Sequence, residues 1–200
     1  MSSRLHGSEE ALATLGCSRA RTLEQPRVLV GGLGMGFTLR AVLDTLPFNA
    51  VVTVAELVPA VIEWNRAPLA ALAGRPLQDS RVRIQAVDVG YILRANPGRF
   101  DAVLLDVDNG PAAFTAADNV GLYDNRGVAA AFAALRPHGT LAVWSAWEDR
   151  KFEQRLRFHR FLVEVVKVRA REHSGGARHT IFLAHKSPQH PSTGGAASRY

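Results

Sequence analysis

This sequence of 200 residues predicts an α/β fold: a mixed, doubly wound, seven-stranded sheet with helices on both faces. Three observations carry the prediction. Short apolar runs alternate with amphipathic or alanine-rich segments, the pattern of parallel strands joined by crossover helices. The first run, Val28-Leu-Val-Gly31, breaks abruptly into Gly32, Gly34 and Gly36 before a helix begins. The last two runs flank Ser174-Gly-Gly176 and read as an antiparallel pair. Together they describe a Rossmann-like sheet finished by an antiparallel C-terminal strand pair.

The elements follow in order. Residues 8–20 read as a helix capped by Ser8, with Glu9 and Glu10 placed to meet its N-terminal dipole. Arg27 to Gly31 is the first strand, Met35 to Leu46 the first crossover helix and Val51 to Ala55 the second strand. A helix starts near Val58, with Pro59 tolerated in its first turn; Pro68 interrupts it or ends its first half, and Gly74-Arg-Pro76 stops it outright. Arg81 to Gln85 is a short third strand, followed by a helical turn over Val89 to Arg94. Phe100 to Leu105, nearly all apolar, is a fourth strand covered on both faces. Asn125 to Leu135 is an alanine-rich helix that ends at Arg136-Pro-His-Gly139, and Thr140 to Trp144 is the fifth strand. A charged helix over 149–157 precedes the final strands, near 162–171 and 178–185. Residues 1–26 are then a helical lead-in, 27–186 a nucleoside-binding domain, and 187–200, rich in Ser, Gly, Pro and Ala, an expected disordered tail.

Composition narrows the class. Hydrophobic content of 47% and charged content of 21% are ordinary for a soluble globular domain. No apolar run is long enough to span a bilayer, and the first ten residues lack the apolar core of a secretion signal. Cys17 is the only cysteine, so no internal disulfide can form, and a cytoplasmic protein is the expectation. The net charge of +6 raises nucleic acid as a partner. Lysine occurs only at 151, 167 and 186, so the excess is arginine, concentrated between Arg150 and Arg178. No recognition helix, stacking platform or zinc motif accompanies it, which argues against a nucleic-acid reader. The histidines show no metal-ligand spacing, and no metal is expected.

The chemistry-bearing residues fall at strand ends. Gly32, Gly34 and Gly36 let the backbone turn tightly before a helix whose first N–H groups are free. Their G-x-G-x-G spacing departs from the G-x-G-x-x-G of dinucleotide sites, because Phe37 or Leu39 stands where the third glycine belongs. Glu56 closes the second strand, where a carboxylate can accept both hydroxyls of a ribose. Asp88 and Val89 follow the third strand; Asp88 is a helix cap, an acceptor for a nucleobase amine, or both, with apolar neighbours for the ring. Asp106 and Asp108, two apart on the turn after the fourth strand, suit a cationic amine: one takes its proton and the other fixes its charge. The alternative for that turn is an Asx-turn closed by Asn109-Gly110. Trp144 and Trp147 end the fifth strand, as walls of an acceptor pocket or as packing.

From Arg27 to about Lys186 the chain resembles the spermidine synthase-like family, the polyamine aminopropyltransferases, which share the class I S-adenosylmethionine-dependent methyltransferase fold. The matching stretches are Gly32-Leu-Gly-Met-Gly-Phe-Thr-Leu-Arg40, Ala55-Glu-Leu57, Asp79-Ser-Arg-Val-Arg-Ile84 leading to Asp88, Phe100-Asp-Ala-Val-Leu-Leu-Asp106 and Gly110-Pro111. The resemblance implies that Glu56 binds ribose, Asp88 the adenine end, and Asp106 serves as the amine-activating base. The donor it implies is S-adenosylmethionine or decarboxylated S-adenosylmethionine, with a small amine as acceptor. Four departures stand out. Met35 occupies the place of the family's acidic residue in the glycine turn, which holds the aminopropyl amine. Val58 replaces a residue that is often acidic, and the loop after Asp106 is shorter than the family's. No counterpart of the family's small N-terminal β-domain is read in residues 1–26. The expectation is a spermidine synthase-like transferase, with a catalytically inactive nucleoside-binding relative and a nucleic-acid methyltransferase as alternatives. A homodimer is expected from symmetry statistics alone.

Overall fold

The computed structural model describes residues 6–107, 110–111, 120–169 and 178–187. Strands β1 (Arg27–Gly31), β2 (Val51–Ala55), β3 (Val82–Gln85), β4 (Phe100–Leu105), β5 (Leu135–Ser145), β6 (Phe161–Arg169) and β7 (Arg178–Lys186) form one sheet. Its order is β3-β2-β1-β4-β5-β7-β6. The first five strands pair in parallel, and β7 lies antiparallel between β5 and β6. The predicted doubly wound, mixed sheet is therefore the observed one.

The helices are α1 (Gly7–Gly16), α2 (Phe37–Thr45), α3 (Pro59–Arg66), α4 (Val89–Ala95), α5 (Val120–Tyr123), α6 (Asn125–Ala134) and α7 (Arg150–Phe158). Strand alternation sorts the core into two layers. Val28, Val30, Val52, Val54 and Leu104 point to one face, under Leu12 of α1, Leu39 and Leu43 of α2 and Ile62 of α3. Leu29, Val103, Leu105 and Val143 point to the other, against Ile92 of α4, Val128 of α6 and Phe152 of α7. Leu12, Ala13 and Cys17 are fully buried, so α1 belongs to the same core as the sheet. Burial pushes the Cys17 thiol up to about 12, which leaves it an inert core side chain.

Local chemistry sets the helix ends. Asp124 accepts from the Arg126 and Gly127 amides at the start of α6, and Asp149 accepts from Phe152 N at the start of α7. At the other end of α6, Lys186 donates to the carbonyls of Phe132 and Leu135, a cation on a helix C-terminus.

Three expectations are corrected. The first helix starts at Gly7 with His6 at the cap, so Ser8 is no cap. Ser8 is buried in the first turn, where its Oγ donates to Glu9 Oε2 and meets His179 Nδ1 at 3.0 Å. The first crossover helix starts at Phe37 rather than Met35, because Gly36 takes φ +85. The fifth strand begins at Leu135, before Thr140: the chain through Pro137 and His138 stays alongside β4 across a register shift, with His138 at φ +65. The expected disorder of 187–200 lies, beyond Ser187, outside the described residues. Among the described residues, no helix is long and apolar enough to cross a membrane.

Candidate functional site

The sheet order reverses at β1: β2 and β3 lie to one side, β4 and β5 to the other. Crevices beyond the carboxyl ends at such a switch point are where open α/β sheets bind ligands. Here the turn after β1 and the turn after β4 are in direct contact. Gly32 has φ +88, and a Cβ on it would lie 2.3 Å from the Asp106 carbonyl oxygen. Only glycine fits both the backbone angle and the gap. The Asp106 amide also donates to Gly31 O at 2.9 Å, and Gly32 N donates to Ala55 O.

Glu56 fastens the glycine turn from the side. Its Oε2 accepts from Leu33 N and its Oε1 from Val58 N, both at 2.9 Å, and the residue is buried. Asn65 of α3 holds the turn from behind. Its Nδ2 donates to Gly34 O at 2.8 Å and to Val61 O at 2.9 Å. Gly36 completes the turn, with its backbone against Asn65 and Pro76.

The resulting cleft has a volume of about 290 Å³. Its polar lining includes Gly32, Gly34, Glu56, Asp88 and Asp106, and its apolar lining Leu57, Val58, Val61, Val87 and Val89. Five of the predicted positions and Val89 thus converge on one space. Gly36 shapes the turn without lining the cleft, and Asp108 lies outside the described residues. Asp88 caps α4, accepting from Tyr91 N at 3.0 Å, while also facing the cleft.

Asp106 differs electrostatically from an ordinary carboxylate. Burial pushes its carboxyl up to about 6; the Thr38 hydroxyl, donating to Oδ2 at 2.6 Å, works against that rise, and the charge of Glu9 on α1 adds to it. Tyr123 steadies the same rim, its hydroxyl donating to Val107 O at 3.3 Å.

The remaining candidates are placed less centrally. Trp144 is half-buried, its ring edge-on to His179 at 4.7 Å, and Trp147 is exposed. His179 and His185 are partly buried on β7, touching Ser8 and Thr140; His173 lies outside the described residues. Among the described residues, no cluster of three or more His, Cys, Asp or Glu is placed to hold a metal. Part of the basic C-terminal segment is internally paired: Arg157 with Glu153, Lys167 with Glu148, and Arg155 with the Tyr123 carbonyl. Sequence reasoning missed Thr38, Asn65 and Tyr123. Each acts on a partner distant in sequence, so no local pattern announces it.

No family model matches the sequence, and no curated protein matches it. Solved structures do. Spermidine synthase from Thermotoga maritima superposes with a TM-score of 0.68 at 20% identity, over 92% of this chain and 60% of that one. A spermidine synthase in complex with the transition-state analogue AdoDATO gives 0.67 at 20% identity with the same coverage. The 1,6-didemethyltoxoflavin-N1-methyltransferase of Burkholderia thailandensis, with bound S-adenosylhomocysteine, gives 0.58 at 23% identity, over 90% of this chain and 77% of that one. This chain spans about 60% of the length of the spermidine synthases it matches. What it shares with these structures is the fold, the seven-stranded α/β architecture of class I S-adenosylmethionine-dependent methyltransferases.

Proposed function

We propose that the cleft binds an adenosylmethionine-type donor and that the protein transfers a group from it to a small, amine-bearing acceptor. The observation that carries this reading is the convergence of the glycine turn, Glu56, Asp88 and Asp106 on one cleft at the sheet's switch point. The donor set fits a nucleoside. Each Glu56 oxygen spends one acceptor site on a backbone N–H, which leaves capacity on both for ribose hydroxyls. Leu57, Val58, Val61 and Val89 offer apolar contact for a flat base, and Asp88 an acceptor at its edge. The donor supplies a carbon activated by its sulfonium. Asp106 accepts the proton released as the amine nitrogen bonds to that carbon and the carbon–sulfur bond breaks, its electron pair leaving with the thioether. A carboxyl pushed up to about 6 is a stronger base than an ordinary aspartate and is still ionised at neutral pH.

Met35 bears on which donor is used. A thioether side chain cannot pair with the free ammonium of decarboxylated adenosylmethionine, so adenosylmethionine itself is the expected ligand and methyl transfer the expected reaction. The same residue motivates the second reading, a nucleoside-binding protein without turnover. Calorimetric titration with adenosylmethionine, its decarboxylated form and methylthioadenosine tests both. Binding of adenosylmethionine, followed by a methylated product in a screen of small amines, supports the transferase. Binding without product across that screen favours the inactive relative, and binding of none of the three removes the proposal.

A further inference from the structure

We infer that Thr38 is a positioning residue, which ties Oδ2 of Asp106 to the first turn of α2 and leaves Oδ1 as the proton-accepting oxygen in the cleft. The inference rests on the transferase reading for its catalytic meaning, but its geometry stands apart from it. Thr38 is buried, so its hydroxyl hydrogen must be spent on a protein acceptor. It goes to Asp106 Oδ2 at 2.6 Å, the length of a hydroxyl bonded to a charged oxygen. The Asp106 main chain is fixed as well, by the bond from its amide to Gly31 O and by the Gly32 contact on its carbonyl. Rotation of the carboxylate away from this orientation would break the Thr38 bond. Among the described residues, none is bonded to Oδ1. Because Thr38 lies two residues after Gly36, the base is anchored to the same segment that forms the glycine turn. Donor turn and base therefore move as one unit.

Among the described residues, the charged groups facing Asp106 are Glu9 from α1 and, across the cleft, Glu56 and Asp88. All are acids, and among the described residues it is the Thr38 hydroxyl that favours the ionised form.

The test uses the whole chain labelled with ¹³C at the aspartate carboxyls, with Asp106→Asn to identify the resonance. Thr38→Val keeps the branched shape of a buried helical residue and removes the hydroxyl; Thr38→Ser keeps the hydroxyl. In Thr38→Val the Asp106 midpoint is expected to rise by about one pH unit. Thr38→Ser is expected to titrate like the wild type. With an acceptor in hand, the acid limb of the rate profile moves up equally in Thr38→Val, and kcat near the wild-type midpoint falls roughly five-fold while donor affinity is kept. An unchanged midpoint in Thr38→Val overturns the inference, and so does a shift that Thr38→Ser shares, since that is a packing effect. Absence of any adenosyl ligand in calorimetry removes the transferase reading instead, and the carboxyl titration still decides whether Thr38 controls Asp106.

Discussion

Two turns leave the sheet side by side, one after β1 and one after β4, and they use their carboxylates in opposite ways. Behind the first, Glu56 gives both oxygens to backbone amides, and the turn's shape depends on it. In the second, Asp106 has a single described side-chain partner, Thr38, and burial holds its carboxyl near 6. The lesson is that an acid at a strand end is not in itself a catalytic group. What separates a fastener from a base is how many of its acceptor sites the fold has already filled.

The contact that joins the turns is the harshest place to break the comparison. Gly32→Ala puts a methyl 2.3 Å from the Asp106 carbonyl on a φ of +88, so both turns must move. The expected loss is about 3 kcal/mol or more in denaturant unfolding, with donor binding gone. Gly98→Ala is the control: its φ is +61, but nothing lies within 4 Å of the added methyl. That variant is expected to lose only the left-handed backbone cost of about 1–2 kcal/mol. Equal losses would mean that backbone angle, rather than the contact between the turns, governs Gly32.

The two carboxylates separate next. Glu56→Ala strands the Leu33 amide inside the buried glycine turn and removes the acceptor of the more exposed Val58 amide, and is expected to cost about 1–3 kcal/mol. Asp106→Asn is expected to go the other way at neutral pH. The folded-state value of about 6 lies above the ordinary 3.8, so the native state binds this proton more tightly than the unfolded chain. The favourable contribution is whole below the ordinary value and is lost as pH rises to about 6, a swing of about 3 kcal/mol. Asp106→Asn removes that pH dependence and raises stability at about pH 7 by roughly 1–3 kcal/mol. Thermal unfolding of both variants at acid and neutral pH measures it. If Asp106→Asn is destabilising throughout, Asp106 is a fastener like Glu56 and the proposed base is lost.

How much of this was legible in the sequence differs between the turns. The β1 turn was legible because its glycines and Glu56 have a local spacing that only certain backbones satisfy. The β4 turn gave up Asp106 for a similar reason, since a buried apolar strand ends where the first acid appears. What stayed hidden is tertiary. Thr38 looks like any polar residue of a first helical turn until its partner, 68 positions away, is seen beside it. Asn65 belongs to no motif in the sequence, yet it is buried under the glycine turn. Ser8 was misread because capping propensity says only that a serine suits a cap, while burial against β7 decided its place. The start of β5 was misread because Pro137 and Gly139 signal a helix stop, and nothing local says that the chain then stays paired with β4.

The smallest expected effect on stability tests the remaining ambiguity in the cleft. Asp88 accepts from Tyr91 N as the cap of α4, and its ion pair with Arg94 is long, at 3.8 Å, between exposed side chains. Asparagine caps a helix about as well as aspartate, and an exposed pair contributes little, so Asp88→Asn is expected to change stability by no more than about 0.5 kcal/mol. If the Asp88 carboxylate also receives the amino group of an adenine, losing its charge weakens that bond, and the donor Kd should rise roughly ten-fold. Calorimetry on the variant reads the two roles separately. Unchanged affinity would make Asp88 a cap that only borders the cleft, and recognition of the base would then fall to backbone groups and the apolar walls around Val89. A weakened affinity with unchanged stability would show one carboxylate doing both jobs, its cap bond keeping it aimed at the ligand.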